Sequence, residues 1–282
     1  MVTLKWFHIV GIVLAFGVLA VVFYPRIENF FVFFPQKELE LQPKDLGLEA
    51  QEVLVEVEAG VRVHGWYFPP PDAEAPVLLF CHGNAGNISH RLDNVRHLVR
   101  HGLGVMLFDY RGYGRSTGSP SEQGIYRDGR AVYEHLAGEK GIPPERIVLF
   151  GRSLGAAVAV EAALHHPVRC VILESAFTST KGMAREMGPF ALFSFLAPAH
   201  YDNLDKVPRI DAPLLFIHGR EDEIVPFHMG EALYRAATEP KRFLPLDRAG
   251  HNDTYVVGGE PYFRALAGFA RDPEGGIREE TP

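Results

Sequence analysis

Ile147-Val148-Leu149-Phe150-Gly151-Arg152-Ser153-Leu154-Gly155-Ala156-Ala157-Val158-Ala159-Val160 reads as a strand that runs into a tight turn and leaves it as a helix. Four consecutive apolar residues predict a strand buried on both faces. The run 156–164 is apolar on every side, so its helix is central. Gly151 and Gly155 bracket the serine at −2 and +2 and leave room for the turn to pack against its neighbours. A serine so placed stands free above the edge of a sheet, available for nucleophilic chemistry. The same Gly-x-Ser-x-Gly spacing recurs at Gly114-Arg115-Ser116-Thr117-Gly118. There the preceding strand ends at Asp109, and Gly112, Gly114, Gly118 and Pro120 mark an irregular loop. Ser153 is therefore the candidate nucleophile and Ser116 a loop serine.

Outward from this turn the chain alternates strands and helices. Gln51–Glu58 and Val61–Phe68 are β-rich runs joined by Ala59-Gly60, a hairpin. Strands follow at Val77–Cys81, 105–109, 147–150, 168–173, 214–218 and 242–246. Helices are predicted near 89–101, 229–238 and 261–271. Another begins at Ser119-Pro120-Ser121-Glu122, where Ser and Glu have capping-box spacing and Pro takes the first helical position. Continuous apolar strands alternating with helices predict an α/β fold, a mostly parallel eight-stranded sheet with helices on both faces.

A serine hydroxyl is a poor nucleophile at neutral pH and needs a base, with an acid to orient it. In such a sheet both follow the serine on loops after later strands, acid first. The strand 214–218 leads into Gly219-Arg220-Glu221-Asp222-Glu223, and the strand 242–246 into Asp247-Arg248-Ala249-Gly250-His251. His251 is the candidate base, and three neighbouring acids compete for the orienting role. After the strand Val77–Cys81 comes His82-Gly83-Asn84-Ala85-Gly86-Asn87. A glycine-rich turn there can aim backbone N–H groups at a developing oxyanion, with the N–H of Leu154 as second donor.

A chain of 282 residues, 47% hydrophobic and 22% charged, supports one large globular core. A net charge of −7 without a basic run argues against nucleic acid. Cys81 and Cys170 sit in apolar runs and are expected to be buried thiols rather than a disulfide framework. The 13 histidines show no ligand spacing, so neither a metal nor another cofactor is expected.

The first residues are different material. Residues 6–24 are apolar except for His8 and carry aromatic residues at both ends, with Pro25-Arg26 closing the run. As a helix they span about 28 Å, the thickness of a bilayer core. The expectation is a single-pass membrane anchor over 1–25; a cleaved signal peptide is the competing reading. Lys5 and the amino terminus precede the run, which places the catalytic domain on the non-cytoplasmic side. Residues 26–50, with Phe30-Phe31-Val32-Phe33-Phe34, are expected to form an interfacial linker. The catalytic domain is expected over 51–271, followed by a flexible tail at 272–282. Within it 175–213 is a small apolar cap, whose Phe190, Phe193 and Leu196 are candidates to bind substrate.

The set His82-Gly83-Asn84-Ala85-Gly86-Asn87, Asp109-Tyr110-Arg111-Gly112-Tyr113-Gly114, Gly151-Arg152-Ser153-Leu154-Gly155, His218-Gly219-Arg220-Glu221-Asp222 and Gly250-His251-Asn252-Asp253 resembles the α/β-hydrolase superfamily. The similarity is to its membrane-tethered branch, which includes alpha/beta-hydrolase-domain depalmitoylases and lysophospholipases. That resemblance implies the α/β-hydrolase fold and selects Asp222 among the three acids, leaving Glu221 and Glu223 as neighbours on a solvated loop. It implies Ser153 as nucleophile, His251 as base, and the backbone N–H groups of Asn84 and Leu154 as oxyanion donors. The function expected is a membrane-anchored serine hydrolase of carboxylic esters or thioesters of lipid or acyl-chain type. The partners expected are that substrate and a lipid bilayer, with no obligate protein partner. A serine peptidase, or an inactive binding scaffold on the same fold, are the alternatives.

Overall fold

The computed structural model describes residues 30, 32–186 and 200–275. It divides into two units, Met1–Phe34 and Pro35–Pro282, and the second holds the main sheet and its helices. The expected anchor over 1–25 lies outside the described residues, as do Phe190, Phe193 and Leu196 of the cap and residues 276–282 of the tail. Among the described residues no helix is long and apolar enough to cross a membrane.

Eight strands form one sheet: β1 (Gln51–Glu58), β2 (Val61–Phe68), β3 (Val77–Cys81), β4 (Gly104–Phe108), β5 (Ile147–Arg152), β6 (Cys170–Glu174), β7 (Leu214–Gly219) and β8 (Lys241–Leu246). Their spatial order is β8-β7-β6-β5-β3-β4-β2-β1. The β1–β2 and β2–β4 pairs are antiparallel, and every other pair is parallel. The central strands β3, β4, β5 and β6 are buried along their whole length. Burying each large aliphatic or aromatic side chain contributes roughly 1.5–3 kcal/mol, so the middle of the sheet holds the fold together. Cys81 and Cys170 are free and sit inside β3 and β6. Burial pushes both thiols up, Cys170 to about 12, so neither is a nucleophile at neutral pH.

The main helices are α1 (Leu92–Arg100), α2 (Glu122–Ala137), α3 (Leu154–Ala163), α4 (Thr180–Glu186), α5 (Phe227–Ala236) and α6 (Thr254–Arg271). The starts of α2 and α6 depart from expectation for local reasons. The capping box from Ser119 to Glu122 does not form; instead Ser121 caps α2, its hydroxyl accepting from the Gly124 N–H at 3.2 Å. The Glu122 carboxylate accepts from the Tyr126 hydroxyl and the Tyr201 N–H instead. Likewise, α6 begins at Thr254, seven positions before Pro261, and kinks at Gly259, where φ is 51°.

Of the linker expected over 26–50, the residues from Pro35 onward lie in the larger compact unit. The Gly114 N–H donates to the Gln36 carbonyl at 2.9 Å, and the Gln36 N–H to the Gly86 carbonyl at 3.1 Å. Asn87 Nδ2 donates to the Glu38 carbonyl at 2.6 Å, while Leu39, Leu46 and Leu48 pack against the core. Backbone polar groups in a folded unit must find partners, and the loops after β3 and β4 supply them here.

Candidate active site

All the candidate side chains come from the edge of the sheet where β3, β5, β7 and β8 end. Ser153 is the single residue between β5 and α3, at φ 54° and ψ −119°. A non-glycine residue held there costs of order 1–3 kcal/mol. Contact on both sides enforces the turn. A Cβ on Gly155 would lie 1.9 Å from the Cys81 carbonyl oxygen, and one on Gly151 would lie 2.5 Å from that of Gly155. The Ser153 N–H donates to the Glu174 carbonyl at 2.9 Å, which ties the turn to β6.

His251 sits on the loop after β8, where its Nε2 lies 3.1 Å from Ser153 Oγ. Its Nδ1 lies 2.9 and 3.0 Å from the two carboxylate oxygens of Asp222, on the loop after β7. With Nδ1–H donating to the carboxylate, Nε2 is free to accept the serine proton. Burial alone would push the Asp222 carboxyl up. The His218 and His251 imidazoles beside it and the Val225 N–H outweigh it and hold the group well below the usual carboxylate range. Asp222 is therefore charged throughout the neutral range, and the chain of groups can move a proton from Ser153 to His251.

Of the competing acids, Glu221 and Glu223 are both exposed. Glu223 is nevertheless not a bystander: its Oε2 accepts from the His251 N–H at 3.1 Å. Leu154 follows Ser153 directly and opens α3, in the first turn whose N–H groups lack intrahelical partners. The turn carrying Asn84 meets the serine at Gly83, where a Cβ would lie 3.5 Å from Ser153 Cβ. Ser116 is buried away from His251. Its hydroxyl donates to the Asp109 carbonyl at 2.8 Å and accepts from the His64 N–H at 2.9 Å, so it fastens β2 to the loop after β4. Among the described residues no group of His, Cys, Asp or Glu is arranged to hold a metal ion.

Several residues that sequence reasoning did not single out support these side chains. Arg152 and Glu174, both buried, form an ion pair at 2.9 Å behind the serine. Arg152 Nη2 also donates to the His251 carbonyl at 2.6 Å, so the residue beside the serine holds the backbone of the histidine. The Glu174 carboxylate accepts further from the Thr254 hydroxyl at 2.6 Å and from the Tyr262 hydroxyl. His218, at the end of β7, donates from Nε2 to the Val225 carbonyl at 2.9 Å and stands 3.4 Å from Asp222. The one sequence signal for this network was a glutamate closing the apolar run of β6.

A family sequence profile described as serine aminopeptidase S33 matches residues 72–203. An uncharacterised Mycobacterium tuberculosis protein is 41% identical over 220 residues, 78% of each chain. The Arabidopsis thaliana alpha/beta hydrolase domain-containing protein WAV2 is 35% identical, over 92% of this chain and 91% of its own. Among solved structures, an esterase of Pyrococcus furiosus superposes with a TM-score of 0.70 over 84% of this chain and 97% of its own. At 23% identity that likeness speaks for the fold alone.

Proposed function

Since this chain belongs to the α/β-hydrolase superfamily and is a hydrolase by fold and relatives, we propose that it cleaves carboxylic esters or thioesters of acyl-chain substrates, with Ser153 as nucleophile. What carries the proposal is the hydrogen-bonded series Asp222–His251–Ser153 at a strained turn. Ser153 Oγ attacks the acyl carbon while His251 Nε2 takes its proton. The carbonyl oxygen becomes an oxyanion, stabilised by the N–H groups of Asn84 and Leu154. His251 then returns the proton to the leaving alcohol or thiol, and the acyl group remains on Ser153. Water, deprotonated by His251, attacks that acyl-enzyme and releases the acid with free Ser153. Asp222 orients the imidazole and stabilises its charged form.

The serine aminopeptidase description of the matching profile favours a second reading, since the same series of groups would serve amide cleavage. The deciding experiment is fluorophosphonate labelling followed by a substrate panel of short p-nitrophenyl esters, lysophospholipids, acyl thioesters and aminoacyl anilides. Labelling at Ser153 with ester or thioester turnover is expected. Turnover of anilides alone would establish the peptidase, and no labelling the inactive scaffold.

The proposal includes residues 1–25 as the tether to a bilayer, with the catalytic domain on its non-cytoplasmic side. Deleting Met1 to Pro25 cuts before the compact unit that begins at Pro35. Membrane release is expected with nearly unchanged turnover of a water-soluble ester, whereas turnover of a bilayer-embedded ester should fall. Equal losses on both substrates in a folded truncated protein would show that the segment shapes the site instead.

A further inference from the structure

Three consecutive peptide carbonyls in the turn after β3 are each held by a buried side chain. The Tyr110 hydroxyl donates to the His82 carbonyl at 2.8 Å. His82 Nδ1 donates to the Gly83 carbonyl at 2.7 Å, and the Tyr113 hydroxyl donates to the Asn84 carbonyl at 2.7 Å. The three side chains form one cluster, with the His82 ring 4.4 Å from that of Tyr110 and 5.4 Å from that of Tyr113. All three are fully buried. A carbonyl only accepts, so His82 carries its proton on Nδ1. Its Nε2 stands 3.5 Å from the buried carboxylate of Asp109, which accepts from the Ile88 N–H at 3.0 Å. Burial pushes the Tyr110 phenol well above its ordinary value, so it remains a donor at any working pH.

A buried tyrosine hydroxyl needs a partner, and one carbonyl is as good as another for that purpose. Here the partners are successive carbonyls of a single turn, and that turn is the one that meets Ser153 at Gly83. In a trans peptide the C=O and N–H point in opposite directions. Gripping the Gly83 carbonyl therefore sets the direction of the Asn84 N–H, and gripping the carbonyls on either side prevents the neighbouring peptides from turning with it. Tyr110 and Tyr113 come from Asp109-Tyr110-Arg111-Gly112-Tyr113-Gly114, a motif to which the reaction steps above give no task.

We infer that His82, Tyr110 and Tyr113 are positioning residues that keep the Asn84 N–H aimed at the oxygen that becomes charged when Ser153 attacks. The inference rests on the assignment of Ser153 as nucleophile. A donor that need not reorient as charge develops is the form of stabilisation that most favours a transition state. Because the oxyanion exists only after attack, loss of this aim lowers kcat and leaves KM alone.

The test uses full-length protein carrying Tyr113→Phe, Tyr110→Phe or both, assayed on a short p-nitrophenyl ester and with a trifluoromethyl ketone inhibitor, whose adduct with the serine places a negative oxygen at the same position. Each single variant should lose about tenfold in kcat, the scale of one hydrogen bond, with KM unchanged. Affinity for the ketone should weaken by the same factor while the melting temperature moves by only a few degrees. Should Tyr113→Phe fail to fold, Tyr110→Phe carries the same test through the His82 carbonyl. Folded variants with wild-type kcat and ketone affinity would overturn the inference, and so would a loss seen in KM alone. Absence of ester turnover and of labelling in the unsubstituted protein would instead overturn the assignment of Ser153, and that is measured before any substitution.

Discussion

Replacing Ser153 with alanine is expected to lower ester turnover by roughly 10⁵–10⁶-fold, the scale seen when a serine nucleophile is removed. Fluorophosphonate labelling should vanish with it. The protein should stay folded, because among the described residues Ser153 Oγ makes one hydrogen bond, to His251. Ser116→Ala is the matched control, since it carries the same local motif. Its hydroxyl makes two buried hydrogen bonds, to Asp109 and from His64. Losing them should cost about 1–3 kcal/mol of stability. Activity per folded molecule should nevertheless persist. Turnover and labelling measured beside a thermal melt separate the two cases, and a folded but inactive Ser116→Ala protein would refute the assignment.

The second large effect is expected at Asp222. Asp222→Asn should reduce kcat by about 10⁴-fold, because an amide can hold the imidazole in the wrong tautomer. Its surroundings sharpen the expectation. The carboxylate accepts from the Ile224 and Val225 N–H groups at 3.0 and 2.7 Å, with His218 and His251 on its other oxygen. Turned toward Ile224 and Val225, an asparagine NH₂ would face two N–H donors. Turned toward His251, it is satisfied only by an unprotonated Nδ1, the wrong tautomer. Glu221→Gln should have little effect on turnover. Glu223→Gln should also be mild, since a glutamine oxygen can still accept the His251 N–H, whereas Glu223→Ala should cost more. Comparable losses for Asp222→Asn, Glu221→Gln and Glu223→Gln would leave no single orienting acid, contrary to the geometry.

That Ser153, His251 and one of the acids Glu221, Asp222 and Glu223 would meet was legible because each lies just past an apolar run, and parallel strands deliver such positions to one edge. The choice of Asp222 came from the family resemblance alone. The alternation itself was legible for the same reason: strands buried on both faces read as uninterrupted Val, Leu, Ile and Phe. What the sequence concealed depends on partners remote along the chain. Arg152 reads as a spacer inside a motif, and only folding brings it to Glu174 and to the His251 carbonyl. Gln36 and Glu38 read as polar linker because their folded contacts are made by backbone carbonyls, which leave no trace in residue type. Helix α2 was misplaced by two residues because Ser119 and Ser121 both offer a capping hydroxyl. The choice between them fell to Ser121, whose backbone is extended and whose oxygen reaches Gly124.

The positive φ of Ser153 bears on which residue this position would hold if stability alone decided it. A glycine at this position would relieve the backbone, and a sequence selected only to stay folded would drift toward it. Ser153→Gly should therefore melt a few degrees above Ser153→Ala, the gap corresponding to about 1 kcal/mol of released strain, although neither variant has a nucleophile. Calorimetry on the pair would measure it, and identical melting temperatures would mean the turn is relaxed. If the gap is found, the serine stands where its absence is more stable, as a position that trades robustness for reactivity would. A lineage that used this domain purely as a binding surface would have no reason to maintain that trade.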